Sequence, residues 1–204
     1  EEVEELRDKY TKVYLQSDDS YVAITSAEAL HYEIEDGVWE DIDNTLSVQE
    51  SDDGAPCISN ESNSLKVELP IDLDADEPVV ISKDDYEVSF VLKGEVKKAK
   101  SKVRNNRAER VHRRKEAKHH AKLERKTSSL NYDEIFTDTN IVYDVRPESI
   151  KESIILNKKP RKNVSYIYEI TADGLTAKLC DDNSIEFYTE SGDLQFFMPA
   201  PYMF

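Results

Sequence analysis

The histidines and one acidic run have spacings that could bind a metal ion. On a helix, His112, Glu116, His119 and His120 would share one face, and Glu-x-x-His is the spacing of carboxylate metal bundles. The motif occurs once and lies among positive charges, which oppose a cation. The run 72–76 opens like a calcium loop, but Lys83 stands where that loop needs a bidentate acid. We therefore predict no metal site and no cofactor.

The motifs that mark common catalytic sites are missing from the sequence, which has no G-x-S-x-G, H-E-x-x-H, Walker or G-x-G-x-x-G pattern. With 43 acidic residues, a carboxylate pair of the glycosidase kind stays open by counting, but nothing singles out two of them. Cys57 and Cys180 either pair in an oxidising compartment or remain free thiols, and we favour free thiols. The sequence predicts a protein that is not an enzyme.

A basic block interrupts an otherwise acidic chain. Residues 93–126 contain 15 Lys or Arg and 4 Glu, a net charge of +11, whereas the remainder carries −27 and the whole chain −16. Such segregation of charge concerns partners and solubility rather than fold. The candidate polyanion-binding residues all lie in this block: Lys97, Lys98, Lys100, Lys102, Arg104, Arg107, Arg110, Arg113, Arg114, Lys115 and Lys118.

Three roles for the basic block stay open. It is a solvated insertion whose charge the acidic body offsets, or it binds an anionic polymer such as a wall polymer or an acidic lipid surface, or it binds nucleic acid or serves as a nuclear import signal. Nucleic acid is the least favoured partner, because no aromatic residue between Val91 and Leu130 is present to stack on bases. The acidic body would also repel a long duplex.

The same block predicts a helix. Residues 95–126 contain neither Gly nor Pro and many helix formers. Their apolar stripe is broken by charges, and many like charges stand three or four positions apart, so the helix would be marginal in isolation. We expect one long basic helical insertion between strands.

Outside the block, apolar residues recur at every second position in short segments. Tyr86–Leu92 alternates cleanly, Asp36-Gly37 is a strong hairpin signal, and turn residues recur every 8–12 residues or so. The polar stretch 48–64 predicts a loop. The pattern as a whole predicts a mainly β protein, either an antiparallel β-sandwich or an open barrel-like meander.

The chain is accordingly divided into three parts. Residues 1–92 form the first half of a β domain, 93–127 the basic helical insertion, and 128–204 the second half of the same domain. No stretch approaches the ~20 apolar residues of a membrane-spanning helix, so we predict no membrane span.

Aromatic residues at strand spacing offer a second binding surface. Trp39, Tyr32 and Tyr86 are the candidates for stacking on sugars, together with Tyr166 and Tyr168. Aromatic residues in strands also pack as core or cross-strand pairs, and that alternative stays open.

Two stretches of the chain resemble a known family. One runs from Tyr21 to Leu46 and contains V-W-E-D-I-D-N-T-L, and the other runs from Ile150 to Met203 and ends in P-A-P-Y-M. Both resemble the N-terminal region of large secreted, wall-associated proteins of Gram-positive bacteria that carry RHS/YD repeats, often with a DNRLRE module. The basic block stands outside the resemblance as an insertion.

The resemblance implies a non-catalytic, secreted or cell-wall-associated module with a structural or adhesive role. Its expected partners are downstream domains of the same polypeptide and a cell-wall glycan or anionic wall polymer. The apolar ending 197–204 likewise predicts that the natural chain continues. No catalytic residue carries over, because toxin activity in the family, where present, lies beyond the repeats. A carbohydrate-binding module, for a cell-wall or plant glycan, is the alternative.

Overall fold

The structure, a computed structural model, describes residues 1–51, 54–106 and 127–203. In this part of the chain a 3-10 helix spans Glu4–Leu6. The strands are β1 (Thr11–Leu15), β2 (Tyr21–Thr25), β3 (His31–Glu35), β4 (Val38–Asp41), β5 (Asp43–Glu50), β6 (Pro56–Ser62), β7 (Lys66–Pro70), β8 (Asp72–Leu73), β9 (Val79–Lys83), β10 (Tyr86–Lys93), β11 (Ala99–Asn106), β12 (Thr127–Phe136), β13 (Thr139–Arg146), β14 (Ser149–Leu156), β15 (Ile167–Asp173), β16 (Thr176–Leu179), β17 (Ile185–Tyr188) and β18 (Leu194–Met198).

The prediction of a mainly β protein is confirmed, but that of a long helical insertion is wrong. The described residues contain no α-helix, and Ala99–Asn106, which the helix was to include, is strand β11. Within β11, Ala99 is buried and Asn105 hydrogen-bonds to the Leu46 backbone of the facing sheet, whereas Lys100 and Lys102 are exposed. Odd and even positions therefore leave opposite faces, and pairing with β12 overrides helix propensity. Residues 107–126, the rest of the predicted helix, lie outside the described residues.

Two antiparallel sheets face each other across one core. The six-stranded sheet has the order β15-β10-β9-β7-β6-β5, and the five-stranded sheet has the order β14-β13-β12-β11-β8. The core draws on inward-facing positions of both sheets, among them Val67, Leu69 and Phe90 from the first and Leu130 and Ile141 from the second. Burying each such side chain contributes about 1.5–3 kcal/mol.

Tyr132 lies at the centre of this core. Its side chain is fully buried, its ring meets the Tyr143 ring edge-on with centroids 6.1 Å apart, and its hydroxyl donates a hydrogen bond to the Pro70 carbonyl of the facing sheet. The hydroxyl therefore keeps a partner inside an apolar core, as a buried tyrosine requires.

Strand β6 lies inside stretch 48–64, where the sequence predicted a loop, and that prediction is wrong. Polar side chains fill this strand because buried asparagines hydrogen-bond one another. The Asn60 Nδ2 group donates to Asn44 Oδ1 at 3.1 Å, and its Oδ1 accepts from the Val67 amide at 2.9 Å. Asn63 donates to the same Asn44 oxygen and to the Pro147 carbonyl. A polar sequence can thus form a buried strand when most of its amide groups are hydrogen-bonded; among these asparagines the Asn44 Nδ2 group is buried without a hydrogen bond to the described residues.

Glu152 joins the edges of the two sheets. It lies on β14, at one edge of the five-stranded sheet, and accepts hydrogen bonds from the Tyr143 hydroxyl at 2.6 Å and from the Tyr168 hydroxyl at 2.8 Å. Tyr168 belongs to β15, the edge strand of the six-stranded sheet. Burial raises the pKa of the Glu152 carboxyl, although both hydrogen bonds favour its charged form.

The remaining strands form three smaller sheets, namely β1-β2, β3-β4 and β16-β17-β18. The Asp36-Gly37 hairpin is confirmed: it joins β3 to β4, and Gly37 adopts a φ of 76°, which favours glycine. None of the helical structure described here has the length or apolar character to span a bilayer.

A candidate binding groove on the five-stranded sheet

The outer face of β11 carries three cations in a row. Lys100, Lys102 and Arg104 occupy alternate positions of the strand, so their side chains leave the same face of the sheet. Ala99, of the opposite parity, is buried in the core. The two-residue period therefore turns a basic stretch of sequence into a cationic stripe on the solvent side of the five-stranded sheet.

Neighbouring strands place polar side chains beside this stripe. In the register of the sheet, Lys102 lies opposite Asn131 and Arg104 opposite Ser129, and Asn131 in turn lies opposite Val142. Together they form a groove with a volume of about 410 Å³. Its lining residues are Lys102, Arg104, Ser129, Asn131, Asp133, Asn140, Val142 and Ile155.

Asp133 is the hub of the groove. Its Oδ1 atom accepts hydrogen bonds from Asn131 and from Asn140 Nδ2, the latter at 3.1 Å, and its Oδ2 atom accepts one from Lys102 Nζ. The hydrogen bond from Lys102, with that from Asn131, lowers the pKa of the Asp133 carboxyl below its ordinary value of 3.8. Asp133 is therefore a fixed negative charge at neutral pH.

A β-bulge orients this hub. The register of β12 against β13 shifts between Tyr132 and Phe136, and Glu134 adopts a left-handed φ of 56°. The Glu134 amide donates to Asn140 Oδ1 at 2.9 Å, so one asparagine holds both the bulge and the Asp133 carboxylate. Bulges commonly re-aim side chains in this manner.

Arg104 is the second cation that lines the groove, and it lies close enough to Asp133 for its charge to help lower the pKa of that carboxyl. Arg104 makes no ion pair with any described side chain, whereas Lys102 is paired with Asp133. Nearby, Asp144 accepts a hydrogen bond from Ser129 Oγ at 2.6 Å and lies opposite Lys151 in the register of the sheet. The groove thus combines fixed charges of both signs with neutral amide and hydroxyl groups.

The other candidate polyanion-binding residues divide into two sets. Lys97 and Lys98 precede β11 and are not part of the stripe. Lys97 Nζ donates to Thr137 Oγ1 at 3.3 Å, and Lys98 Nζ lies 3.4 Å from an oxygen of Asp72. A second set lies outside the described residues: Arg107, Arg110, Arg113, Arg114, Lys115 and Lys118.

The pairing of β11 with β12 fixes where the basic segment is attached. Asn106 and Thr127, which flank residues 107–126, are partners in the register. Arg104 and Ser129 lie two positions away from that pair, about 7 Å along the strands. The basic segment therefore begins and ends beside the groove.

The three candidate glycan-stacking aromatics lie in different places. Tyr32 pairs with Glu40, and the next pair of the hairpin joins Glu33 to Trp39, so Tyr32 and Trp39 leave opposite faces of the β3-β4 sheet. Tyr86 is at the start of β10, beside Gly174. The structure does not gather Tyr32 and Trp39 into one flat surface.

The candidate metal ligands and the cysteines do not form a site in the described residues. No group of three or more His, Cys, Asp or Glu there is arranged to hold a metal ion, and His112, Glu116 and His119 lie outside those residues. Cys57 is buried in β6, Cys180 follows β16 and is partly exposed, and the structure forms no disulfide between them.

Sequence reasoning missed the residues that β12 contributes to the groove. Ser129, Asn131 and Asp133 alternate with the buried Leu130 and Tyr132, and that alternation is the signal that marks them as outward-facing. The chain matches no protein-family model, no curated protein and no solved structure. The resemblance to the N-terminal region of RHS-repeat proteins therefore stays a prediction.

Proposed function

We propose that this protein is a non-catalytic adhesive module that attaches to an anionic polymer through the β11 stripe and the basic segment that follows it. The observation that carries the proposal is the alignment of Lys100, Lys102 and Arg104 on one exposed face, at the point where the basic segment joins the sheet. A secreted, wall-associated location belongs to the proposal and is supported by the sequence resemblance alone.

The distribution of charge supports this assignment. A cationic stripe on a body of net charge −27 is the part of the molecule that a polyanion can approach without repulsion. Exposed charges act over about 8–10 Å at physiological ionic strength, so the stripe and the attached segment act on a ligand together. The proposal therefore expects binding that weakens steeply with salt.

Variants in which glutamine replaces the cations of the stripe test the proposal. We expect K100Q/K102Q/R104Q to lower the affinity for purified Gram-positive cell wall, and for polyphosphate, at least tenfold, about 1.4 kcal/mol. The matched control is K159Q/R161Q/K162Q, which removes the same charge from the exposed loop after β14, none of whose three cations lines the groove. Co-sedimentation with cell wall at a series of salt concentrations measures both variants.

Equal losses in the two variants would mean that only net charge matters, and unchanged binding of the first variant would contradict the proposal. Hydrolysis of a glycan by the purified protein would contradict its non-catalytic part. Glycan stacking on Trp39, Tyr32 and Tyr86 remains the alternative. It predicts salt-resistant binding that is lost when those aromatic residues are replaced.

A further inference from the structure

We infer that the groove is a subsite for a single acidic sugar residue, with Arg104 and Lys102 facing its carboxylate and the Asp133 hub facing its hydroxyls. The inference rests on the proposed function and specifies the anionic polymer as a carboxylated polysaccharide. It concerns the described groove and needs no contribution from residues 107–126.

The central position of Asp133 argues against a densely charged ligand. A polyphosphate or nucleic acid chain lying in the groove would bring phosphates against a carboxylate that Lys102, Asn131 and Asn140 hold in its ionised form. Like charges at such range repel, and a site built for phosphates would not place an aspartate at its centre. A ligand with one acidic group and several hydroxyls avoids this repulsion, because its hydroxyls donate to Asp133.

The other lining groups fit a sugar. A sugar hydroxyl both donates and accepts hydrogen bonds. The Ser129 hydroxyl donates to Asp144 but keeps lone pairs that can accept, and the Asn131 and Asn140 Nδ2 groups each keep a second N–H besides the one given to Asp133. Val142 and Ile155 give the groove an apolar floor on which the C–H face of a pyranose ring can lie. Arg104 offers the planar fork of donors that binds a carboxylate in bidentate fashion.

The size of the groove also fits a single sugar residue. Its volume of about 410 Å³ lies at the lower end of the range of roughly 300–1,000 Å³ that is typical of small-molecule sites. Lys100 continues the stripe along β11 beyond the lining residues, so adjoining acidic residues of a chain would also meet a cation. The groove would therefore bind one sugar residue specifically, and the rest of the stripe would attract the neighbouring acidic residues of the chain.

A substitution that fills the groove without changing its charge separates this inference from the proposed function. In V142F an aromatic ring, which β-strands favour, would occupy the floor of the groove. We expect it to lower the affinity for hexagalacturonate at least tenfold and to change the affinity for polyphosphate less than twofold, as measured by isothermal titration calorimetry. The control V91F makes the same change on β10, on the outer face of the other sheet, and should leave both affinities unchanged.

The outcomes are distinguishable. If the native protein binds neither polymer, the proposed function fails. If it binds both and V142F weakens neither, or weakens both equally, the inference is overturned while the proposed function stands. Should V142F fail to fold, NMR titration of the native protein with trigalacturonate answers the same question: shifts of the Asn131, Asn140 and Val142 amides support the subsite, and their absence overturns it. Neutral dextran, which has no carboxylate, should cause no such shifts.

Discussion

The inner and outer faces of the five-stranded sheet each hold a carboxylate in a network of hydrogen bonds, but the two carboxylates differ in pKa. Asp133 on the outer face is partly exposed and hydrogen-bonded to two amides and Lys102, and its pKa is lowered. Glu152 on the inner face is partly enclosed by the core and bonded to two tyrosines, and its pKa is raised. The same sheet therefore keeps one acid charged on its solvent side and uses the other to join two edge strands.

The comparison of the two faces predicts that substitutions at two consecutive residues of β12 differ most in their effect on the free energy of unfolding. Replacing the fully buried Tyr132 by alanine should lower the free energy of unfolding by about 3–5 kcal/mol, because the substitution removes a core ring and leaves a cavity. D133A, one position further on the outer face, should cost less than about 1 kcal/mol, since exposed ion pairs stabilise little. Urea denaturation of the two variants measures the difference, and similar losses would contradict the assignment of the faces.

A smaller effect is expected at Glu152, and it depends on pH. Folding raises the pKa of this carboxyl above its ordinary value of 4.5, so its contribution to stability is present below that pH and is lost as the pH rises through the folded pKa. We expect E152Q to gain stability relative to the native protein, by on the order of 1 kcal/mol, between pH 4 and pH 8.

Thermal unfolding across that pH range measures the change. The matched control is E169Q on the exposed face of β15, where a hydrogen bond from Lys93 lowers the pKa of the carboxyl. The control should therefore show the opposite sign. A pH-independent difference between E152Q and the native protein would refute the role given to burial.

The smallest effect is expected for D133N. The folded pKa of Asp133 is below 3.8, so its contribution to stability is present above that pH and is lost as the pH falls through the folded pKa. We expect the free energy of unfolding of the native protein to exceed that of D133N by a few tenths of a kcal/mol at pH 7, since the pair with Lys102 is exposed, and we expect the difference to shrink as the pH falls below 3.8. A loss above about 2 kcal/mol, measured by urea denaturation, would mean that the groove is a structural device instead of a binding surface.

The sequence predicted part of the fold because half-buried strands have a local signature. Tyr86–Leu92 alternates, and in the structure Val88, Phe90 and Leu92 are buried as that pattern requires. It failed for Ala99–Asn106, where helix propensity is also local but the strand is stabilised by pairing with β12. It failed for β6 because Asn60 is buried by virtue of partners on other strands.

The same reasoning predicted the cations of the candidate site but not the residues that contact them. Charge identified Lys100, Lys102 and Arg104, but nothing local joins Lys102 to Asp133, which is 31 residues away. The hub forms because β11 and β12 are neighbours in the sheet and because the bulge at Glu134 turns Asp133 toward Asn140. Neither the pairing of strands nor a bulge leaves a mark in the spacing of charged residues.

By itself, then, the sequence determined which residues alternate between two faces and where positive charge collects, since both properties belong to short stretches of chain. Tertiary structure alone decided that a basic stretch is a strand and that a polar stretch is buried. It also decided that the pKa of Asp133 is lowered whereas that of Glu152 is raised. Those outcomes depend on strand partners distant in the chain and on the local dielectric, and only the packed sheets supply them.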